Sequence, residues 1–325
     1  MRAVRIVAPS QPLAMVELPD LPPAPGEVTI EVRACGICHS DAHYRGGFGN
    51  IALPRTPGHE IAGIVREVGD GVTRIAVGDC VAVHYLRSCG ACRACRESGE
   101  QFCQRGEMIG KQCDGGYADF VTVPETNAIA VPPSVPLELA AVMMCSTATA
   151  YHALHVGRLR EGERVAILGF GGLGVSALEL ARALGARSVA VVDVVPEKLA
   201  LAEARGATTE VENIDLAIDF TGRPDVMTAA LRALAPGGRL VVVALSEAPL
   251  TVNPYRDLLA KERSIIGCSD HTRGELVELL DLAATGRLEL RHVISARVPF
   301  DAAAINAVLD GLEQGTGALR SVIVR

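Results

Sequence analysis

The segment CGACRACRESGEQFC, residues 89–103, gathers Cys89, Cys92, Cys95 and Cys103 into one short loop. Four thiolates at this spacing can close a tetrahedron around Zn²⁺. A full Cys₄ shell leaves no open coordination position, so the chemistry it implies is structural. Four unrelated thiols, a pair of disulfides or an iron–sulfur cluster are the other readings of such a segment. Pro9, Pro12 and Glu17 interrupt the first residues too early for a secretory leader, so a reducing, cytoplasmic setting is expected and disulfides are not. An iron–sulfur cluster would stand without a redox partner site nearby.

A second set of metal-ligating side chains is dispersed. ACGICHSDAHYRGG contains Cys38, PRTPGHEIAG contains His59, and AAVMMCSTATAYHA contains Cys145. Two thiolates and one imidazole would leave a fourth position on zinc for water or substrate, which is the arrangement of a catalytic ion. Taken singly, Cys145 reads as core and His59 as a turn residue. Their weight comes from the motifs around them.

The third chemical signal is GFGGLG, residues 169–174. It follows an apolar strand and opens a helix, the context in which G-x-G-x-x-G binds a dinucleotide. Gly169 permits the tight turn, Gly171 lets the backbone approach a pyrophosphate, and Gly174 lets helix and strand pack closely. Gly172 and Leu173 complete the loop, whose amides and helix dipole favour an anion. Asp193 ends the next strand, 19 residues after Gly174. A carboxylate there accepts from ribose hydroxyls and repels a 2′-phosphate, which favours NAD over NADP.

These groups need two kinds of scaffold. Up to about residue 145 the chain is β-rich: EVTIEV (27–32), IAGIVREV (61–68) and DCVAV (79–83) are short apolar runs between Gly and Pro punctuation, as in a barrel or sandwich. From about residue 146 strands and helices alternate. RVAILGF (164–170), SVAVVDV (188–194), LAIDFTG (216–222) and RLVVVAL (239–245) read as strands. Residues 175–186, 196–207 and 226–238 read as the helices between them. That alternation predicts a parallel sheet with right-handed crossovers, covered on both faces. The tail adds a helix and a last strand whose docking partner periodicity does not specify.

From CGICHSDAH through GHE, the Cys₄ loop and GFGGLG, the chain resembles the zinc-dependent medium-chain alcohol dehydrogenases of the two-zinc, NAD-dependent type, over nearly its whole length. The resemblance implies an α/β protein with two domains. A GroES-like β-barrel catalytic domain would span 1–146 and 294–325, and a Rossmann doubly wound domain 147–293, with the active site in the cleft between them. It assigns Cys38, His59 and Cys145 to the catalytic zinc and the four loop cysteines to a structural one.

By the same resemblance, Glu60 lies beside the metal and can approach it, Asp41 accepts from His59, and Ser40 bonds the alcohol oxygen. His43 ends a proton relay, His39 faces the cofactor pyrophosphate, Lys198 contacts the adenosine ribose, and Arg320 binds the pyrophosphate. The implied reaction is reversible hydride transfer between a primary or secondary alcohol and NAD, giving an aldehyde or ketone. Polyol or amino-alcohol oxidation is the alternative within the superfamily. A non-catalytic zinc binder would be expected to have lost one of these groups, and none is lost. Microbial relatives imply a homo-oligomer, tetramer or dimer.

Two departures stand out. Only ten residues, 208–217, separate RGA from IDFTG, where relatives carry an additional helix, so the dinucleotide domain reads as trimmed. Tryptophan is absent and aromatics make up 3%, which predicts an aliphatic substrate cleft near Tyr44, Phe48, Leu53, Tyr85 and Leu86. The composition, 49% hydrophobic and 21% charged over 325 residues, can bury a full core and argues against disorder. A net charge of −7 argues against nucleic acid or an anionic membrane as partner.

Overall fold

Two short strands, β1 (Arg2–Arg5) and β2 (Ala14–Glu17), pair antiparallel at the start of the computed structural model. The model describes residues 1–290, 292–315 and 318–325. The chain then enters β3 (Glu27–Ile37), where Val28, Ile30 and Val32 alternate into the core at 2% exposure or less. α1 (His39–Arg45) follows at once. β4 (Glu60–Val68) returns antiparallel to β3 and is joined by β5 (Cys80–Val83). β6 (Leu86–Arg87) and β7 (Glu107–Met108) form a two-stranded pair, with the one-turn helix α2 (Arg93–Arg96) between them in sequence. β8 (Phe120–Pro124) pairs with β3, β9 (Ala128–Ala130) pairs with β5, and α3 (Leu137–Val142) packs on β3 and β4.

The second unit comprises Ser146–His271 and Arg287–Glu289. After α4 (Ala148–Val156), strands β10 (Arg164–Leu168) and β11 (Ser188–Val192) alternate with α5 (Gly172–Ala183) and α6 (Pro196–Ala204). β12 (Ile214–Asp219), α7 (Pro224–Ala233), β13 (Leu234–Val242) and β14 (Ser264–Gly267) complete a parallel sheet of order β11-β10-β12-β13-β14. The expected doubly wound sheet is present with five strands. Val165, Ala166 and Ile167 of β10 are fully buried because both faces of the strand are covered.

The short segment after α6 has a structural consequence. Thr208 makes a single parallel bridge to Ala190, and no helix follows before β12. Leu168, Val192 and Val211, with Val226 and Ala229 of α7, are left around a hollow of about 330 Å³ on that face.

The largest departure from the boundaries expected in this unit is at the end of α7. The helix expected over 226–238 stops at Ala233, and β13 begins at Leu234. Pro236 has no N–H and disfavours a helical Ala235, while Gly237 adopts φ +73°. The register to β12 jumps from Ile214↔Leu234 to Leu216↔Arg239, so the turn is absorbed as an irregularity in the strand.

The first unit comprises Met1–Cys145, Thr272–Gly286 and Leu290–Arg325. It gains α8 (Arg273–Ala284), β15 (Ala296–Pro299), α9 (Ala302–Glu313) and β16 (Ser321–Val324). β16 runs antiparallel to β3, pairing Val322 with Gly36, and closes a seven-stranded sheet. No helix among the described residues is long and apolar enough to cross a membrane.

Gly174 tests how tightly the glycine loop packs. A Cβ there would overlap the carbonyl oxygen of Gly169, which itself sits at φ +92°. Gly174→Ala is expected to cost about 1–3 kcal/mol through overpacking and to lower the calorimetric unfolding midpoint. An unchanged midpoint would contradict the close packing.

Candidate active site and metal centres

Sheet register assembles the first constellation. Cys38 follows the last residue of β3 and is the cap of α1, while His59 immediately precedes β4. The pairing Gly36↔Glu60 therefore brings the two ligands to the same end of the sheet. Cys145 arrives from a π-helical turn, Met143–Thr147, a local widening of the helix common at functional sites. Ligand atoms of Cys38, His59, Glu60 and Cys145 all lie within 4.8 Å of one another. His59 Nε2 is 3.3 Å from Cys145 Sγ. Tetrahedral zinc bonds would put such an N and S about 3.6 Å apart, so three ligands fit one ion.

Asp41 organises this end of the sheet. It is fully buried, accepts from Cys38 N at 2.9 Å, from Gly58 N at 3.3 Å and from the Tyr117 hydroxyl at 3.0 Å. Gly58 needs φ +93°, and a Cβ there would overlap the Tyr117 ring. Asp41 Oδ1 stands 3.5 Å from His59 Nδ1, an ion-pair distance rather than a well-formed hydrogen bond. Burial alone would depress the His59 imidazole, but the Asp41 carboxylate and the Cys38 thiolate outweigh it and push His59 up to about 10. Cys38 is held well below the usual thiol range, first by the hydrogen bond from Cys145, then by His59. Without a metal the Cys38 thiolate is partnered by the His59 imidazolium, and an ion bound here would displace the His59 proton.

Glu60 is fully buried and its Oε1 is ion-paired with Arg320. Its second oxygen has no hydrogen-bond partner and points at Gly36, where a Cβ would overlap it. Glu60 is therefore close to the ligand set yet anchored by a guanidinium. Arg320, expected at a pyrophosphate, is buried and committed to this carboxylate.

The other expected residues lie on α1. Ser40 Oγ is 3.7 Å from Cys38 Sγ. His39 and His43 are exposed, with ring centroids 4.7 Å apart, and Phe48 lies 6.0 Å beyond His43. Burial and the neighbouring His39 lower His43 from its ordinary value. Tyr85 is buried and meets the His59 ring edge-on at 5.2 Å. Tyr44 is buried with its hydroxyl donating to Met108 Sδ, Phe48 is 53% exposed, and Leu53 and Leu86 pack against the core.

The second constellation is the loop of Cys89, Cys92, Cys95 and Cys103. Its sulfurs lie 3.4 Å (Cys92–Cys95), 3.8 Å (Cys89–Cys95) and 3.9 Å (Cys92–Cys103) apart. Tetrahedral Zn–S bonds set a separation of about 3.8 Å, whereas a disulfide would need about 2 Å. Backbone N–H groups of Ala91 and Cys92 hold the Cys89 thiol down to about 5. Donor set and spacing both fit zinc.

In the second unit, Gly171 caps α5 and Gly172 begins it, leaving the loop amides around Leu173 at the helix N-terminus. Asp193 follows β11 and uses both oxygens locally, accepting from Phe170 N at 2.7 Å and Val195 N at 2.9 Å. It thereby ties the glycine loop to the turn before α6. Lys198 is the third residue of α6 and half-buried.

Sequence reasoning missed Tyr117, the Glu60–Arg320 pair and Arg45. Arg45 is buried and spans from α1 to Asp310 at 2.7 Å and Glu313 at 2.8 Å on α9.

Residues 24–133 match the family model described as alcohol dehydrogenase GroES-like domain, and residues 172–285 the one described as zinc-binding dehydrogenase. An alcohol dehydrogenase of Geobacillus stearothermophilus is 34% identical, across 89% of this chain and 90% of that protein. An NAD-dependent alcohol dehydrogenase of Saccharolobus solfataricus is 31% identical across all of both chains. The cobalt- and zinc-bound thermostable alcohol dehydrogenase of Pyrobaculum aerophilum superposes with a TM-score of 0.89 at 28% identity, covering 100% of this chain and 99% of that one.

Proposed function

The chain belongs to the zinc-dependent medium-chain alcohol dehydrogenases, and on that premise we propose that it exchanges a hydride between a primary or secondary alcohol and NAD. The observation that carries this reading is the convergence of Cys38, His59 and Cys145 on one point, with Glu60 tied back by Arg320. Zinc held there would supply Lewis acidity, lowering the pKa of an alcohol hydroxyl or polarising a carbonyl. Cys38, His59 and Cys145 would hold the ion, with the Glu60 carboxylate beside them drawn toward Arg320. Asp41 keeps the His59 ring in place from behind.

Ser40, with its Oγ 3.7 Å from Cys38 Sγ, is the proposed acceptor of the hydroxyl proton. His43, exposed one turn further on, passes it to water. Its lowered pKa leaves it neutral at pH 7 and able to accept. NAD is the hydride acceptor. Gly169, Gly171, Gly172, Leu173 and Gly174 cradle its pyrophosphate, and Asp193 and Lys198 address its ribose; for His39 and Arg320, contact with the cofactor is what the family resemblance implies. For Arg320 that role means sharing its guanidinium with Glu60. The protein is proposed to work in the cytoplasm as a homo-oligomer, tetramer or dimer.

The test is NADH absorbance with zinc-loaded protein across alcohols of rising chain length and the matching aldehydes, with NAD and NADP in parallel. Turnover with NAD above NADP is expected. No absorbance change across the panel would remove the reading.

Asp193→Gly is expected to erode the preference for NAD by roughly ten- to a hundredfold, about 1.4–2.8 kcal/mol. Because Asp193 also binds two backbone amides, the KM for NAD should rise as well. An unchanged NAD/NADP ratio would argue against its assignment.

A further inference from the structure

We propose that His39 and His43 form a third transition-metal site on α1, and that metal bound there inhibits the enzyme. The two residues stand four apart on one helix, so their side chains share a face. Their ring centroids are 4.7 Å apart and the planes differ by 33°. Two imidazoles at this spacing on a helix form a bidentate chelate, the same relation that H-E-x-x-H uses to grip zinc. Imidazole nitrogen suits Zn²⁺, Cu²⁺ and Ni²⁺. Both rings are exposed, so solvent can fill the remaining positions.

Neither histidine belongs to the two ligand groups already described. Cys38, though adjacent in sequence to His39, is only 6% exposed and faces the buried group. On α9, the Asp310 and Glu313 carboxylates are ion-paired with Arg45. The site is therefore a two-histidine chelate with water completing the shell, weaker than either cysteine site. Such a site responds to excess metal and leaves the resident ions in place.

The inhibition rests on the proposed roles of these residues. A metal ion on His43 takes the lone pair that would accept the relayed proton, and one on His39 removes its contact to the cofactor. Metal binding itself does not depend on that reading, so the two can fail separately.

The experiment uses the full chain with its two zinc ions in place, titrated with Ni²⁺. Native mass spectrometry counts metals and isothermal calorimetry measures binding. One added Ni²⁺ per chain is expected, lost in His39→Gln and in His43→Gln and retained in His155→Gln, an exposed histidine on α4. His39 and His43 are exposed, so both variants should fold, and circular dichroism checks this. Persistence of the added ion in the His39 and His43 variants, its absence in the parent chain, or exchange for zinc in place of addition would overturn the site. Ni²⁺ at saturating occupancy should depress turnover in the parent, reversibly on brief EDTA treatment, and not in the variants relative to their own activity. Full activity with the ion bound would overturn the inhibitory role while leaving the site.

Discussion

Cys38→Ser is expected to remove the catalytic zinc and reduce kcat/KM by about 10³-fold or more, since the Lewis acid contributes several kcal/mol and each ~1.4 kcal/mol is tenfold. Serine fits the buried position sterically but offers no thiolate, and Cys38 is the ligand whose thiolate the pocket favours most clearly. With it gone, His59 and Cys145 remain as a two-point site. Metal analysis should fall from two zinc ions per chain to one. NADH binding, followed by fluorescence, should persist, because the glycine loop and Asp193 belong to the second unit. Retention of both ions with more than about a tenth of the activity would contradict the assignment. Loss of NADH affinity would contradict the separation of roles.

Cys103→Ser is expected to act on stability rather than chemistry. The segment from Cys89 to Cys103 contains no buried residue, and α2 is a single turn with no core of its own. With so little apolar burial, the metal is what orders the loop, and binding free energy becomes folding free energy there. Removing one thiolate should release the loop at a cost of about 2–5 kcal/mol, comparable to loss of a native crosslink. Limited trypsin digestion should cut first at Arg93, Arg96 or Arg105. A cleavage pattern identical to that of the parent chain would show that the loop holds its shape without the ion. Glu100 makes this more than a local matter: its carboxylate accepts from the backbone N–H of Arg273 at the start of α8, so a released loop also loosens that helix.

Contiguous chemistry was legible in the sequence. The four loop cysteines lie within a few residues of one another, and their spacing alone closes a tetrahedron. The glycine loop is likewise local: a strand, a turn at positive φ and a helix N-terminus are all written within GFGGLG. The alternation of apolar strands and helices after residue 146 specified a parallel sheet, because each element carries its own periodicity. Asp193 could be read by its distance from the glycines. The short segment after α6 was visible as missing length, and the absent helix follows from it.

Other features depended on which strands meet. That Arg320 reaches Glu60 across 260 positions follows from β16 lying antiparallel on β3, a docking that no local pattern encodes. Asp41 could be expected near His59, but its use by Cys38 N, Gly58 N and Tyr117 required the turn at Gly58. Cys145 taken singly reads as one more core cysteine and joins the metal set in the sequence only by resemblance, whereas in the fold a π-helical turn aims it at His59. α7 ended early because Pro236 and Gly237 outweighed its helical spacing. Local periodicity and ligand spacing are properties of neighbours in sequence, so the chain declares them directly. Register, strand order and the burial of a charge against a distant partner are properties of the packed sheet, where a shift of one residue would turn every side chain to the opposite face.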